Sequence, residues 1–509
     1  MAWVLVGAIP LLQLPYLIDW QSGFTSDSAV PYLMARHVVH LHEYPLFYWG
    51  QRYFGAIAAY VGAALMWLTG REPTWLLDLV PLLWFLAAAA LLVAVSTPSR
   101  RTVVAFALLV TPPAMFMAID RPAFTQGTFL WLGWAALAAL APGLTRAPLR
   151  GIEFAKAAAA GAVLALSAFY SVTAFIGLAA LLPLSALAIA FDVRARVPHW
   201  LTRSAARLAQ LALTAAIGSL GLLVTRLAHP GGSPHLGFIA PAQLPAKLRL
   251  LAQSFLQFAP YFRAGPATTG LNSFYSGLPI LDPIGANTPL ATLHPVTLAF
   301  AVLIALAAAL GAAHVAALAW RAWRDRQADA FPFAPLYWLA ILLVTAAAFV
   351  LSDQAFEIGG ARYLTAIFFP LVVLVSEAVS PWSVRLKAGL AIAWSVAVIV
   401  GVVSILRVER GLNRDIDAAL AFARAQGVQG GTADYWLAYN LNARAHEALI
   451  FVPFEPRYPA YWNQVRSMRH LAMVQFVVDG KARGAPRIGL PVEATQTFGD
   501  VRVTVFRPR

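Results

Sequence analysis

Apolar residues in this chain fall in long unbroken runs instead of alternating with polar ones. Trp75 to Val95 and Thr102 to Ile119 carry almost no polar positions, and each approaches the roughly 20 residues a helix needs to cross a bilayer. Comparable runs are Trp3 to Ile18, Phe124 to Ala141, Ala206 to Val224, Val296 to Ala319, Phe333 to Leu351, Tyr363 to Ser376 and Ala388 to Leu406. Phe154 to Ala190 is double length and reads as a hairpin broken near Tyr170 and Ser171, which brings the count to about eleven spans. A soluble enzyme would need polar faces that these runs lack.

One further run, Tyr53 to Gly70, is short, contains Gly55 and Gly62, and is bracketed by Arg52 and Arg71. The basic loops decide it. If the run does not cross, then "TPSRR" (Arg100, Arg101), "LTRAPLRG" (Arg146, Arg150), "DVRARVPHWLTR" (Arg194, Arg196, Arg203), "WRAWRDRQ" (Arg321, Arg324, Arg326) and "SVRLK" (Arg385, Lys387) all lie on one side, as cytoplasmic loops should. The run is therefore expected to be interfacial or re-entrant. The other side then receives a first outer loop (19–70), the segment around Asp120 and Arg121, a long outer loop (226–295), Ser352 to Arg362, and everything beyond the membrane domain (1–407).

Past Arg407 charge rises abruptly. Helix-like stretches (Asp415 to Gln426, Tyr461 to Leu471) alternate with strand-like ones (Ala448 to Val452, Met473 to Val478, Val501 to Phe506), so residues 408–509 are expected to form a small periplasmic α/β domain. The fold class is thus a polytopic α-helical membrane protein with a C-terminal α/β appendage.

Composition agrees: 60% of the 509 residues are hydrophobic and 12% charged, with a mean hydropathy of +0.68. The net charge of +14 comes from arginines in short loops, a signal of topology and lipid-headgroup contact and not of nucleic acid. With 0 cysteines there is no disulfide framework, thiolate metal site or cysteine nucleophile. The first segment lacks a basic start and a cleavage site and reads as a retained span.

The chemistry gathers in the first outer loop, "GFTSDSAVPYLMARHVVHLHEYPLFYWGQRYFG". From Ser28, Val30, Leu33, Met34, Val38 and Leu41 recur at helical spacing, with Arg36, His40 and Glu43 opposite and Pro31 in the first turn. Such a helix is expected to lie in the membrane surface, apolar side down. Asp27 stands at its start, either as a cap or as a carboxylate that takes a proton from an incoming hydroxyl or amine. Tyr44, Phe47, Tyr48, Trp49, Tyr53 and Phe54 suit an aromatic belt or a sugar-stacking wall, and the amide of Gln51 among them needs a partner. His37, His40 and His42, with Glu43, do not share one helix face as a metal triad would.

The order of these elements resembles the GT-C glycosyltransferases, in the branch of the protein O-mannosyltransferases and the bacterial aminoarabinose transferases. Tyr48 to Tyr53, "YWGQRY", resembles a "YYGQ" stretch of that branch; "GGARYLTAIFFPLVVL" from Gly359 resembles its "RYLLP" span opening; "ADYWLAYNL" and "RYPAY" resemble segments of its outer domain. The resemblance implies an inverting transfer from a polyprenyl-phosphate sugar to a lipid, glycan or protein acceptor, with Asp27 as catalytic base. Many members carry a second acid directly after that base, where this chain has Ser28. Asp120 is a second candidate acid, or a helix-end charge paired with Arg121. Arg362, beside Tyr363, is the first choice to hold the donor phosphate, with Arg52, Arg121 and Arg263 next and Gln51, Tyr48 and Tyr53 as further substrate contacts; an arginine fork suits phosphate oxygens, and an interfacial arginine can also simply snorkel. The resemblance names no certain cofactor and leaves a divalent metal open, since some members use one and others do not. The expected setting is the bacterial inner membrane, with the site on the periplasmic side. A lipid-linked oligosaccharide flippase or polymerase and a non-catalytic accessory subunit are the competing readings.

Overall fold

The computed structural model describes the chain apart from residues 19–25, 112–120, 146–150, 229–236, 261–294, 328–329, 354–357, 407–410, 455, 479–480, 483–488 and 509. Within elements, the side chains of 13–18, 52–53, 121–126, 141–145, 358–362, 404–406, 411–413, 478 and 481 also lie outside the description.

The chain is a polytopic helical membrane protein with a small C-terminal α/β domain. The helices of the membrane part are α1 (Ala2–Ile18), α2 (Ser26–Val39), α3 (Ile57–Thr69), α4 (Leu76–Val95), α5 (Arg101–Leu109), α6 (Arg121–Thr145), α7 (Gly151–Tyr170), α8 (Phe175–Arg194), α9 (Trp200–Ala228), α10 (Leu244–Ser254), α11 (Pro295–Arg324), α12 (Phe333–Leu351), α13 (Phe368–Val379) and α14 (Val384–Leu406). Among the described residues, seven helices are long and apolar enough to span: α4, α7, α8 with its short lead-in from Val172, α9, α11, α12 and α14. Helices α1, α5, α6 and α13 occupy the other four expected positions. The double run breaks where expected: α7 ends at Tyr170, Ser171 is extended, and a 3-10 turn over Val172–Ala174 starts α8.

Two observations separate lipid-facing from buried helices. The outer faces of α11 and α14 expose Leu303, Leu306, Leu310, Ile392, Val396 and Ile399, which suits acyl chains and would be untenable in water. Central α6 instead buries Trp131 and Trp134, and Trp131 stacks on Phe369 at 4.8 Å. Small residues let neighbouring helices approach closely: a side chain at Gly221 of α9 would collide with the backbone of Ala165 in α7.

Tyr53 to Gly70 forms the end of a hairpin strand and then α3, whose 13 residues reach about 20 Å, short of the ~30 Å hydrocarbon layer. Helix α2 corrects two expectations. It begins at Ser26, so Pro31 falls in its second turn and removes the N–H that would have bonded the carbonyl of Asp27. Nor does it lie open on lipid: Val30, Leu33 and Met34 are essentially inaccessible, because α2 packs between α3 and a helix of the C-terminal domain.

That domain comprises α15 (Gly411–Ala425), α16 (Tyr435–Arg444) and α17 (Pro459–Ser467), with a sheet. With β1 (Phe47–Tyr48) and β2 (Gln51–Gly55) forming the first-loop hairpin, the sheet strands are β3 (Gly430–Ala433), β4 (Ile450–Val452), β5 (Leu471–Val478), β6 (Lys481–Ala482), β7 (Val492–Phe498) and β8 (Val501–Phe506). The order is β4-β3-β5-β8-β7, with β6 on β5; β3 runs parallel to both β4 and β5, and β8 antiparallel to β5.

Candidate active site

Asp27 lies in the first turn of α2, where a negative charge suits the helix dipole, yet the polar contacts of its side chain reach across to the C-terminal domain. Its Oδ1 accepts a short hydrogen bond from the Tyr435 hydroxyl and another from Arg457 at 3.1 Å. Among the described residues nothing donates to Oδ2. The Arg457 guanidinium also covers the Tyr435 ring at 4.4 Å. Burial, and then the charge of Asp27, push the Tyr435 phenol far above its ordinary value, so it stays a donor.

Sequence and fold together bring Arg457 there. It follows β4, and its backbone N–H donates to the buried Tyr439 hydroxyl at 2.8 Å. Its side chain then crosses the β1–β2 turn at Gly50, which has φ +70, a left-handed conformation that glycine adopts without penalty. A Cβ there would lie 2.5 Å from Arg457 Cγ. The glycine of the "YWGQ" element thus gives the arginine its path to Asp27.

Beside this contact a cavity of about 670 Å³ opens, lined by Gly50, by Ala433 at the end of β3 and Asp434 and Tyr435 after it, by Pro453, Phe454, Pro456 and Arg457 after β4, and by Met473, Val474 and Gln475 of β5.

A second cluster locks α2 to the same domain. Glu447 accepts from His37 Nε2 at 2.8 Å, Arg36 at 2.8 Å and the Tyr461 hydroxyl at 2.6 Å. Arg36 also donates to Glu72 at 2.7 Å, and His40 pairs with Glu72 at 2.6 Å. His37 Nδ1 faces Glu43 at 3.3 Å, close enough for an ion pair though not aligned as a hydrogen bond. Burial works against a charged His37, but Glu43 and Glu447 outweigh it and raise its pKa to about 9. Burial likewise opposes ionised Glu447, yet His37, Tyr461 and Arg36 hold it below its ordinary value. Among the described residues, no three histidines or acids are grouped to hold a metal.

The other expected residues distribute as follows. Tyr48 is buried against Tyr170, Phe47 against Phe169, and Trp49 stacks on Tyr458 at 4.1 Å while donating to Glu43 at 2.8 Å. These rings are buried against other side chains, which corrects the expectation of an open belt at the bilayer surface for them. Gln51 starts β2, paired with Tyr48. Tyr363 is 45% exposed in a 3-10 segment, Ile358–Ile367, that also contains Arg362. The side chains of Arg362, Arg52, Tyr53 and Arg121, and the whole of Asp120 and Arg263, lie outside the described residues. The 3-10 segment packs on α6, α10 and α12, and α10 contributes a cation absent from the expected set: Lys247, fully buried with its ammonium 4.7 Å from the Phe349 ring centre.

Tyr435 and Arg457 also went unassigned in the sequence, although they stand in "ADYWLAYNL" and "RYPAY". Their signal was the aromatic and basic density of those two segments.

No family model matches the chain, and no curated protein sequence does. Solved structures do. ArnT from Cupriavidus metallidurans bound to undecaprenyl phosphate is similar over 98% of both chains, at 12% identity and a TM-score of 0.53. The oligosaccharyltransferase of Archaeoglobus fulgidus in complex with zinc and sulfate is 13% identical over 92% of this chain and 67% of its own, with a TM-score of 0.49. At such identity the likeness to ArnT is one of fold.

Proposed function

We propose that this chain, which has the fold of the GT-C membrane glycosyltransferases, moves a sugar from a polyprenyl-phosphate carrier to an acceptor hydroxyl or amine. The setting is the periplasmic face of a bacterial inner membrane. The observation that carries this reading is the situation of Asp27: an acid in the first turn of a helix packed against the C-terminal domain, fixed through one oxygen by Tyr435 and Arg457, with its other oxygen unengaged among the described residues.

In the reaction the acceptor oxygen or nitrogen attacks the anomeric carbon from the face opposite the phosphate. The bond from that carbon to the phosphate oxygen breaks, the acceptor's proton passes to Oδ2 of Asp27, and the polyprenyl phosphate leaves with the bonding pair, so the anomeric centre inverts. Tyr435 and Arg457 serve to orient the carboxylate, a task in which a small misplacement is costly. Arg362 and Lys247, whose helix packs on the 3-10 segment that holds Arg362, are the cations assigned to the departing phosphate; the fold relative solved with undecaprenyl phosphate supports the class of carrier. Asp120 remains the second candidate acid.

Transport is less well supported. The buried ion pairs Arg100–Glu377 and Arg207–Asp192 stand toward helix ends that meet basic loops, whereas translocation pathways place ionisable groups near mid-membrane. Proteoliposomes holding only this protein, loaded with radiolabelled polyprenyl-phosphate sugars and an outer-membrane lipid and glycan extract, test the reading. Label should leave the carrier lipid and appear in an acceptor fraction; label that crosses the bilayer still attached to its carrier would identify a flippase instead.

A further inference from the structure

Apart from the transfer chemistry, a second recess lies between the α3–α4 turn and the loop after α16, a cavity of about 470 Å³ lined by Arg71, Glu72, Pro73, Trp75 and His446. We infer that it binds the phosphate headgroup of an anionic phospholipid. Nothing in this depends on Asp27 acting as a base, so the two readings stand or fall separately.

Depth in the bilayer is the first argument. The apolar span of α4 begins at Leu76, so Arg71 to Trp75 lie at headgroup level, where a tryptophan beside a span end is at home. Just before them, Trp67 and Leu68 at the end of α3 are 76% and 70% exposed, which suits acyl chains and not water. The chain leaves α3 through Gly70, in a left-handed conformation at φ +62, and Arg71 follows. A ligand that meets Arg71 here has a polar recess on one side and lipid tails on the other, which is the situation of a phospholipid.

Charge selects the headgroup. Glu72 is the lining acid, and its carboxylate oxygens are engaged, Oε2 by Arg36 at 2.7 Å and Oε1 by His40 at 2.6 Å. Glu447, which shares Arg36, is met as well by His37. No acid among the described residues pairs with Arg71, whose side chain is exposed. His446 is tied into the wall through Tyr32, whose hydroxyl donates to the Glu72 backbone carbonyl at 2.8 Å and meets His446 Nδ1 at 3.3 Å. Partial burial, then Arg36, hold His446 below its ordinary value against the opposing pull of Glu72 and Glu447, and Arg424 of α15 adds to the effect. The uncommitted charge around the recess is therefore positive. A guanidinium fork can meet two phosphate oxygens at once, and a zwitterionic headgroup would bring its own cation into the same field, so the anionic lipid is favoured. Seated here, the lipid bridges the start of a span and the loop that carries Glu447.

The test is native mass spectrometry of the full chain, released from micelles doped in turn with phosphatidylglycerol and phosphatidylcholine of matched acyl chains. The wild type should hold its tightest phosphatidylglycerol at least tenfold more strongly than phosphatidylcholine, and Arg71→Gln should lower that affinity at least tenfold. Arg321→Gln, at an exposed arginine of the rim with the basic loops, should leave it within a few fold of wild type. Arg71 belongs to none of the three hydrophobic cores, so its replacement leaves the fold intact, as an unchanged thermal midpoint in lipid-free micelles should show. Equal retention of the two lipids, an unchanged affinity in Arg71→Gln, or an equal loss in Arg321→Gln would overturn the inference. Inorganic phosphate at millimolar concentration separates the two sources of the anion. It should leave the lipid bound; displacement of the lipid by free phosphate would make this a site for the soluble anion and overturn the lipid assignment.

Discussion

At the scale of single residues the account turns on the three-way meeting of Asp27, Arg457 and Gly50. Gly50 has a left-handed backbone conformation that costs a non-glycine residue about 1 kcal/mol, and it also yields the space in which Arg457 lies. Gly50→Ala should therefore lower the transfer rate at least tenfold by displacing the arginine, with a loss in thermal stability of only a few degrees. The coupling is measurable: with Arg457 already changed to Ala, adding Gly50→Ala should cost little further activity, whereas two independent losses that simply add would show that the glycine acts elsewhere. Arg457→Lys should fail to restore the wild-type rate, because the single ammonium cannot keep both the Asp27 bond and the planar cover of the Tyr435 ring.

At the scale of elements the decisive contact is α2 against α16 and the loop after it, where His446 and Glu447 both take left-handed conformations that the polar cluster pins in place. His37 there has a folded pKa of about 9 against an ordinary value near 6.5. A raised pKa contributes stability that is complete below the unfolded value and is lost as pH rises through the folded one. Glu447 and Glu72, both lowered, contribute above their ordinary values and lose that contribution as pH falls through the lowered ones. Docking should thus be tightest from about pH 5 to 6.5 and weaken as pH rises towards 9. Between about pH 6.5 and 9.5 the thermal midpoint of the wild type should fall further than that of His37→Gln; parallel falls would remove His37 from the latch. The elements themselves were mostly legible, because lipid demands apolar residues on every side of a span and leaves a pattern that cannot be mistaken for a soluble helix. The environment of α2 was not, since the cover over its apolar face comes from α16, and Tyr435 and Arg457 stand 408 and 430 residues from Asp27 in the chain. Strand β3 was equally hidden. Its Gly430 and Gly431 show no alternation, and their fitness for a central strand rests on the close approach of β4 and β5 on either side.

At the scale of the whole molecule the two rims are built differently. On the rim with the basic loops, helix ends are joined by buried ion pairs, Arg207–Asp192 at 2.6 Å and Arg100–Glu377 at 2.8 Å, and by Arg194 over the Trp323 ring. Breaking one partner of a buried pair strands the other, so Arg207→Leu should destabilise the protein by about 3–5 kcal/mol, and the double replacement with Asp192→Leu by much less; denaturation of the purified variants in detergent checks this. The opposite rim carries α2, α3, the C-terminal domain and Asp27. The absence of native cysteine makes the orientation directly accessible: a membrane-impermeant maleimide should label Phe454→Cys in intact spheroplasts and leave Ser99→Cys unlabelled until the membrane is opened. The central claim, that Asp27 accepts the acceptor's proton, is met most directly by comparing wild type with Asp27→Asn in single-turnover transfer from a bound polyprenyl-phosphate sugar. The amide should bind the carrier lipid as tightly as the carboxylate does and yet transfer sugar at least a thousandfold more slowly; transfer within a few fold of wild type would contradict the account.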